Sequence, residues 1–217
     1  ADHTFAGPVT WTGSVITGAA STTFNNSLAI TGAATKQITG NRVLNVTGTT
    51  TWSGNTGANN NQIEFVGGTI NNTGTWNDQN GFDSFIDHFT GTNTFNNTSI
   101  YNKQSNTVTT VEVVYNNPGT TNVNAGRMRL SGGGTSTGSY NLAAGSTLDL
   151  NNGTHNFNAV TLSGAGVFEI SGSASFNFVN LNGGTLGTAV LLSGGRLQGA
   201  DHTFAGPVTW TGSVITG

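Results

Sequence analysis

Residues 128–133 read MRLSGG, residues 148–153 LDLNNG, residues 168–172 FEISG and residues 190–195 VLLSGG. Each segment places an apolar residue on either side of a central one and then ends in glycine or asparagine. Alternation of this kind is typical of a β-strand with one buried side. The four segments begin 20, 20 and 22 residues apart. Similar strands that recur in a constant phase predict a solenoid, in which each coil stacks on the one before it.

A second series of residues predicts the number of coils. An aromatic or apolar side chain preceded by small polar residues recurs at intervals of 17 to 28 residues. The series consists of Phe5, Phe24, Trp52, Trp76, Phe95, Val123, Tyr140, Phe157, Phe176 and Phe204. Its nine intervals span 199 residues, which indicates nine coils of about 22 residues each.

The chain also repeats on a larger scale. Residues 1–18 read ADHTFAGPVTWTGSVITG, and residues 200–217 repeat all eighteen letters at an offset of 199. We interpret residues 1–199 as one solenoid repeat unit and residues 200–217 as the start of the next identical unit in a tandem array. The alternative is an overlap added on purpose to cover an exposed end of the solenoid.

These patterns predict an all-β fold, a parallel β-solenoid with about nine coils of roughly 22 residues per 199-residue unit. Neighbouring coils of such a solenoid lie one strand spacing apart, about 4.8 Å, so one unit would be about 43 Å long. An antiparallel β-sandwich is the competing interpretation. It is less favoured because a sandwich does not need similar strands to recur in the same phase.

The composition narrows the class of protein. The 217 residues include 33 glycines but only six Lys and Arg and nine Asp and Glu, for a formal net charge of −3. So few basic residues cannot form the positive surface that binds a nucleic-acid backbone. No apolar run approaches the roughly 18 residues of a membrane-spanning helix, and the first residues lack the layout of a signal peptide. The absence of cysteine excludes disulfides and thiolate metal sites.

Asparagines occur in pairs and in one triplet. These groups lie at residues 25–26, 59–61, 71–72, 96–97, 116–117 and 151–152. Asparagine tolerates the left-handed backbone of tight turns, and its amide can both donate and accept in a stack of identical side chains. We therefore expect asparagines at the turns between strands, with amide ladders along the solenoid axis.

One short segment concentrates the acidic residues. Residues 76–89, WNDQNGFDSFIDHF, contain Asp78, Asp83 and Asp87. Together with Asn80, these oxygen donors could hold a calcium ion, because a hard cation takes several carboxylate and carbonyl oxygens on a tight turn. The spacing fits neither an EF-hand loop nor the glycine-rich calcium nonapeptide, so a solvated long turn is the simpler interpretation. No other cofactor is predicted.

A second charged group follows from the alignment of the apolar triplets. Arg129, Asp149 and Glu169 occupy the middle, outward-facing position of three consecutive triplets. At strand spacing they should form an exposed ladder in which Arg129 pairs with Asp149 and the like charges of Asp149 and Glu169 stack. Two carboxylates about 5 Å apart are also the arrangement of a retaining glycosidase, although a flat wall without a lid loop offers no pocket.

Some of the aromatic residues could form a ligand-binding surface. Most of them should fill the interior, but Trp76, Phe82 and Tyr101 could lie on protruding loops and stack on sugar rings. Polysaccharide lyases on β-helices need a base and grouped Lys or Arg residues around a cleft, whereas the basic residues here are scattered singly. His3 and His155 precede residues of the aromatic series, which indicates a place at a corner of the coil.

The coils resemble a known family. Repeated short coils with G-x-T-x-F/W openings, abundant Thr, Asn and Gly, few charges and no cysteine look like the extracellular parallel β-helices of filamentous haemagglutinins, autotransporter passengers and related giant bacterial surface proteins. The resemblance covers the whole chain and is compositional. It implies a right-handed solenoid that is exported and serves as a stalk or adhesin. Repeats in that family seldom stay identical, so the eighteen-residue match indicates a recent duplication or a strictly periodic fibre.

We therefore expect a non-catalytic structural repeat segment of an extracellular filament, stalk or surface adhesin. Its expected partners are adjacent identical units stacked end to end, with glycans or other fibres as further candidates, and neither nucleic acid nor a membrane span is expected in this segment. The alternative function is a glycan-binding or polysaccharide-degrading domain on the same scaffold.

Overall fold

The structure is a computed structural model that describes residues 1–54 and 62–216. Within these ranges the chain forms 28 β-strands and no helix. Each strand pairs in parallel with a strand of the next coil, where a coil is one full turn of the chain. The fold is a β-solenoid of about nine coils of roughly 22 residues, as the sequence predicts.

Each coil contains three strand segments, one on each of three faces. Face 1 contains His3–Phe5, Ser21–Phe24, Val114–Asn116, Gly134–Ser136, Gly153–Asn158, Asn177–Asn182, Arg196–Gln198 and Val214–Ile215. Face 2 contains Val9–Trp11, Leu28–Ile30, Thr49–Trp52, Thr75–Asp78, Ile100–Lys103, Thr120–Val123, Ser139–Leu142, Thr161–Ser163, Thr185–Leu186 and Thr203–Phe204. Face 3 contains Ser14–Ile16, Val108–Val111, Arg127–Leu130, Thr147–Leu150, Val167–Ile170, Ala189–Leu192 and Val208–Trp210. Three long strands run across the corner from face 3 to face 1 and belong to both, namely Lys36–Val46, Ile63–Asn72 and Ser84–Asn97.

Glycine allows the long strands to bend. Gly40, Gly67 and Gly91 lie at the same corner of three successive coils and have φ angles of 68°, 80° and 82°. Residues with a Cβ rarely adopt this left-handed region. The strand register shifts at this corner, so the chain passes from face 3 to face 1 without leaving the hydrogen-bonded ladder.

The strand register confirms the predicted stacking of the apolar triplets. Met128 pairs with Leu148, and Leu148 pairs with Phe168. Phe168 in turn pairs with Val190. All four side chains belong to the hydrophobic core and are at most 2% exposed. Burial of one such column per face is the main favourable contribution to folding.

The aromatic series that predicted nine coils does not follow one face. Phe24 lies on face 1, whereas Trp52 and Trp76 lie on face 2. Phe176 lies between strands and is 69% exposed, so it marks no position in the core. The series still counts about nine coils, because most coils carry a large inward side chain on one face or another.

Candidate functional site

The first predicted calcium ligand, Asp78, is enclosed by protein groups. It is buried at the end of its strand on face 2 and accepts hydrogen bonds from the hydroxyls of Tyr101 at 3.3 Å and Thr109 at 2.5 Å. Asn80 Nδ2 donates to the same carboxylate at 3.1 Å. Burial raises the pKa of Asp78, although the charge of Lys103 opposes the shift.

The other two carboxylates have partners elsewhere. Asp83 Oδ1 accepts a hydrogen bond from the backbone N–H of Val108 at 2.9 Å. Asp87 lies on face 3, in register with Glu64 of the preceding coil. In residues 1–54 and 62–216, no group of three or more His, Cys, Asp and Glu side chains could hold a metal ion. Asp78 and Asn80 are hydrogen-bonded to each other, whereas Asp83 and Asp87 have other neighbours, and the calcium site stays a prediction from the sequence.

A buried lysine that was not predicted from the sequence faces Asp78. Lys103 is in register with Asp78 and has no exposed surface. Its Nζ donates to the backbone carbonyl of Ser105 at 2.5 Å, and burial lowers the pKa of Lys103. The alternation in the strand IYNK could have revealed it, because Lys103 falls on the same side as the buried Tyr101. Both side chains are closed off from solvent, which fits a structural role at the corner between faces 2 and 3.

The predicted pairing in the charge ladder is confirmed and extends further. Arg129 Nε donates to Asp149 Oδ2 at 2.8 Å. Arg127 Nη1 donates to the same oxygen at 2.8 Å and to Glu169 Oε2 at 2.7 Å. One guanidinium therefore bridges the two carboxylates, and the expected repulsion between them is offset by protein charge.

The predicted exposure of this ladder holds for Arg129, whose side chain is 37% exposed, and was wrong for its two carboxylates. Asp149 is 0% exposed and Glu169 is 8% exposed. Ser171 Oγ donates to Asp149 Oδ1 at 2.5 Å and Ser193 Oγ donates to Glu169 Oε1 at 2.6 Å. With the arginines, these serines occupy all four carboxylate oxygens and cover them from solvent. Closed in this way, the two carboxylates lack the access to a glycosidic bond that hydrolysis requires.

An acidic ladder lies on the same face. Glu64, Asp87 and Glu112 occupy equivalent positions in three successive coils. Gln37 Nε2 donates to Glu64 Oε1 at 2.5 Å. Burial, a hydrogen bond with Asp87 and the charge of Asp87 raise the pKa of Glu112 to about 7. The sequence does not reveal this column, because corner loops of unequal length separate its members.

Asparagine amides form the predicted ladders. Face 1 carries bonds of 2.9–3.0 Å along the series Asn45, Asn71, Asn96 and Asn116. Face 2 carries bonds of 2.8–2.9 Å along the series Asn77, Asn102, Asn122 and Asn141. A third series with bonds of 2.8 Å is fully buried and consists of Asn72, Asn97 and Asn117.

The expected left-handed geometry of the asparagines was largely wrong. Of the described asparagines, only Asn41 has a positive φ. The pairs at residues 25–26 and 151–152 lie between strands, whereas those at 71–72 and 96–97 lie within strands. The triplet at residues 59–61 lies outside the described residues. An amide ladder needs the extended backbone of stacked strands. This explains why the pairs at residues 71–72 and 96–97 lie within strands instead of turns.

The predicted sugar-stacking residues separate into two groups. Trp76 and Tyr101 are 0% exposed, so their expected place on protruding loops was wrong. Their rings stack with each other inside the core at a centroid distance of 6.3 Å. Phe82 is 51% exposed, and Phe89 is 69% exposed on the next strand. His155, expected at a corner, is a buried residue of its strand, and burial lowers its pKa to about 4.

The two end coils carry the most distinct exposed surface. The duplicated sequence supplies six of the eleven large apolar side chains exposed in the described residues, namely Phe5, Val15, Val208, Trp210, Val214 and Ile215. At the first coil, a hollow of about 310 Å³ is lined by Phe5, Trp11, Ile16 and Phe24 among others. Strand edges with apolar side chains are surfaces on which a further parallel coil can form. The two copies of the duplicated sequence are therefore the candidate contact between repeat units.

Comparisons with protein-family models, curated proteins and solved structures found no match to this chain. The described residues also include no helix that is long and apolar enough to cross a membrane. The candidate site therefore rests on the geometry of the end coils and on the duplicated sequence.

Proposed function

We propose that this chain is a structural repeat segment of an extracellular filament, stalk or surface adhesin and has no catalytic role. The observation that carries the proposal is the duplication of an entire end coil. Residues 200–216 form strands that stack on the preceding coil, and residues 1–18 form the same strands at the other end. Residues 200–216 have the sequence with which the next unit would begin, and they already stack on the last coil of this unit.

Hydrogen bonds along the solenoid axis supply the mechanical function. Backbone N–H groups donate to carbonyls one coil away throughout the described chain, for example Ser131 N to Val111 O at 2.8 Å and Asn151 N to Leu130 O at 3.0 Å. The buried columns and the asparagine ladders follow the same axis. A force along the axis of such a rod is therefore shared by many hydrogen bonds and packing contacts between each pair of adjacent coils.

The composition supports an extracellular location. The six Lys and Arg residues leave few trypsin sites, and two of them, Lys36 and Lys103, are fully buried. The small net charge limits the effect of salt on the rod. The compositional resemblance to filamentous haemagglutinins and autotransporter passengers supports the same location and an exported stalk or adhesin.

Electron microscopy of the native, full-length protein tests the proposal. We expect long rods with a meridional signal near 4.8 Å and an axial rise of about 43–45 Å for each unit. Short, discrete particles without this periodicity would contradict a filament built from tandem units. The duplication of residues 1–18 would then not indicate a tandem array.

The alternative is glycan binding or polysaccharide degradation on the same scaffold, and the exposed rings of Phe82 and Phe89 are the observation that favours it. Binding on a glycan array that is lost in Phe82→Ala and Phe89→Ala would support it. Release of reducing ends from a polysaccharide would support the degrading form. Rods that neither bind glycans nor release reducing ends would favour the structural function over this alternative.

A further inference from the structure

The duplicated sequence lies on different faces in its two copies. In the first copy, His3–Phe5, Val9–Trp11 and Ser14–Ile16 lie on faces 1, 2 and 3 in that order. In the second copy, the corresponding strands lie on faces 2, 3 and 1, and they consist of Thr203–Phe204, Val208–Trp210 and Val214–Ile215. The same residues therefore form the same strands one face further around the solenoid.

The strand count gives the same result. When each long strand is counted once per face, Thr203–Phe204 follows His3–Phe5 by 28 strand segments. Three segments make one coil, so the 199-residue offset corresponds to 28/3, or nine and one third coils. The aromatic series counted nine because it passed from face 1 at Phe5 to face 2 at Phe204.

Both copies keep the same side of each strand toward the interior. Trp11 pairs with the buried Ile30, and its copy Trp210 pairs with the buried Leu192. A one-face shift is compatible with the sequence because each face requires only a short strand that alternates between inward and outward residues.

We propose that consecutive units in the tandem array join with a rotation of one face, about a third of a turn. The inference rests on the proposed function, and its partner is a second copy of this unit. Face 2 of one unit continues as face 1 of the next, face 3 as face 2, and face 1 as face 3. The original orientation returns after three units, which comprise 597 residues, three times 199, and 28 coils.

The rotation decides where each surface feature appears on the filament. One unit is about 45 Å long, and the full structural repeat is about 134 Å long at 4.8 Å per coil. The charge ladder of Arg129, Asp149 and Glu169 lies on face 3 of each unit together with Arg127. Along the filament it is therefore presented on three sides in succession, so that contacts made by this surface point in three directions.

A disulfide test on the 217-residue chain measures the face shift directly. Thr185 and Thr203 are exposed register partners in the structure, and the chain has no native cysteine. Strand spacing of about 4.8 Å lies within the Cα separation that a disulfide spans. We expect Thr185→Cys with Thr203→Cys to oxidise in most molecules, as measured by free-thiol titration and non-reducing electrophoresis.

The matched control pairs Thr185→Cys with Thr209→Cys. Thr209 is in register with Leu191 on face 3, so this pair should stay reduced. If a unit contained a whole number of coils, residues 208–210 would lie over Thr185–Leu186 and the control pair would oxidise instead. That result, or a folded first variant that stays reduced, would overturn the inference. Circular dichroism of each variant confirms that the solenoid is folded.

Labelled filaments separate this inference from the proposed function. Ser173 is exposed, so Ser173→Cys in every unit of the full-length protein provides one gold-label site per unit. We expect labels every 45 Å that step around the rod by about 120° plus any uniform twist of the solenoid. Rods whose successive labels differ only by that twist would keep the filament and overturn the rotation. Without rods the proposed function fails, while the disulfide pairs still report the face shift.

Discussion

At the scale of single residues, Glu112 is expected to make the stability of the protein depend on pH. Its pKa is raised to about 7 from 4.5, chiefly by burial and by Asp87. A raised pKa means that its favourable contribution is complete below pH 4.5 and is lost as the pH rises through 7. We expect the unfolding free energy of the wild type to decline relative to that of Glu112→Gln as the pH rises through this window, as measured by urea unfolding of both proteins.

The control for this prediction is Asp201→Asn, which removes an exposed carboxylate outside the ladder. It should leave the pH dependence between 4.5 and 7 as in the wild type. An equal change in both variants would mean that Glu112 has no special role. His155 acts in the opposite direction, because a pKa lowered to about 4 from 6.5 makes its contribution decline as the pH falls through that range.

Two arginines of the charge ladder should differ in their contribution to stability. Arg129 makes one described ion pair and its side chain is 37% exposed, so Arg129→Ala should cost at most about 1 kcal/mol. Arg127 bridges Asp149 and Glu169, and its removal leaves two covered carboxylates next to each other. Arg127→Ala should therefore cost about 2–3 kcal/mol in thermal or urea unfolding. Equal losses in the two variants would argue against the bridge.

At the scale of elements, the corner between faces 1 and 2 sets a strict limit on side-chain size. A Cβ on Gly138 would overlap the carbonyl of Gly119 and would lie 2.7 Å from the carbonyl carbon of Pro118. Gly138→Ala should destabilise the protein by about 1–3 kcal/mol, because stacked corners cannot separate without breaking the adjoining ladders.

Gly81, which lies between strands of faces 2 and 3, provides the control. A Cβ there meets no atom within 4 Å, and Gly81→Ala should change stability by at most about 0.5 kcal/mol. Comparable melting temperatures for the two variants would show that the corners are looser than the structure indicates.

The buried asparagine ladder should contribute more than the outer ones. Asn97 Nδ2 donates to Asn117 Oδ1 at 2.8 Å and to Thr120 O at 3.0 Å, and its own Oδ1 accepts from Asn72 at 2.8 Å. Asn97→Ala should cost about 2 kcal/mol or more, because it leaves buried polar groups without partners. Asn141→Ala, on the exposed outer ladder, should cost about 1 kcal/mol or less, since water replaces the lost bonds. Equal unfolding free energies would contradict this ranking.

At the scale of the whole molecule, stability depends on contacts between neighbouring coils. Leu150 is 0% exposed and pairs with Leu130 below it and Ile170 above it. Leu150→Asp buries an unpaired charge in this column, so it should lower the melting temperature sharply and shorten or abolish ordered rods.

The control for this prediction is Thr161→Asp, which places the same charge at an exposed strand position. Its rods and its melting temperature, measured by electron microscopy and circular dichroism, should match the wild type. Unchanged rods in Leu150→Asp would remove this residue from the core.

Local patterns in the sequence were enough to predict the repeating architecture. The triplets at Met128, Leu148 and Phe168 recur in phase because a strand alternates every second residue and each coil returns to the same face. The pairing of Arg129 with Asp149 followed from the same spacing. These features depend on short-range periodicity, which a single sequence displays directly.

Other features depend on which residues meet across coils, and only the tertiary structure decided them. Loops of different length at the corners shift the sequence distance between stacked residues, so the columns of Glu64 with Asp87 and of Asp78 with Lys103 had no fixed spacing to reveal them. Burial of Asp149 depends on side chains from three coils. The extra third of a coil in each unit could not be predicted for the same reason. The duplicated strands are compatible with all three faces, and only their pairing with strands of the neighbouring coil determines which face they occupy.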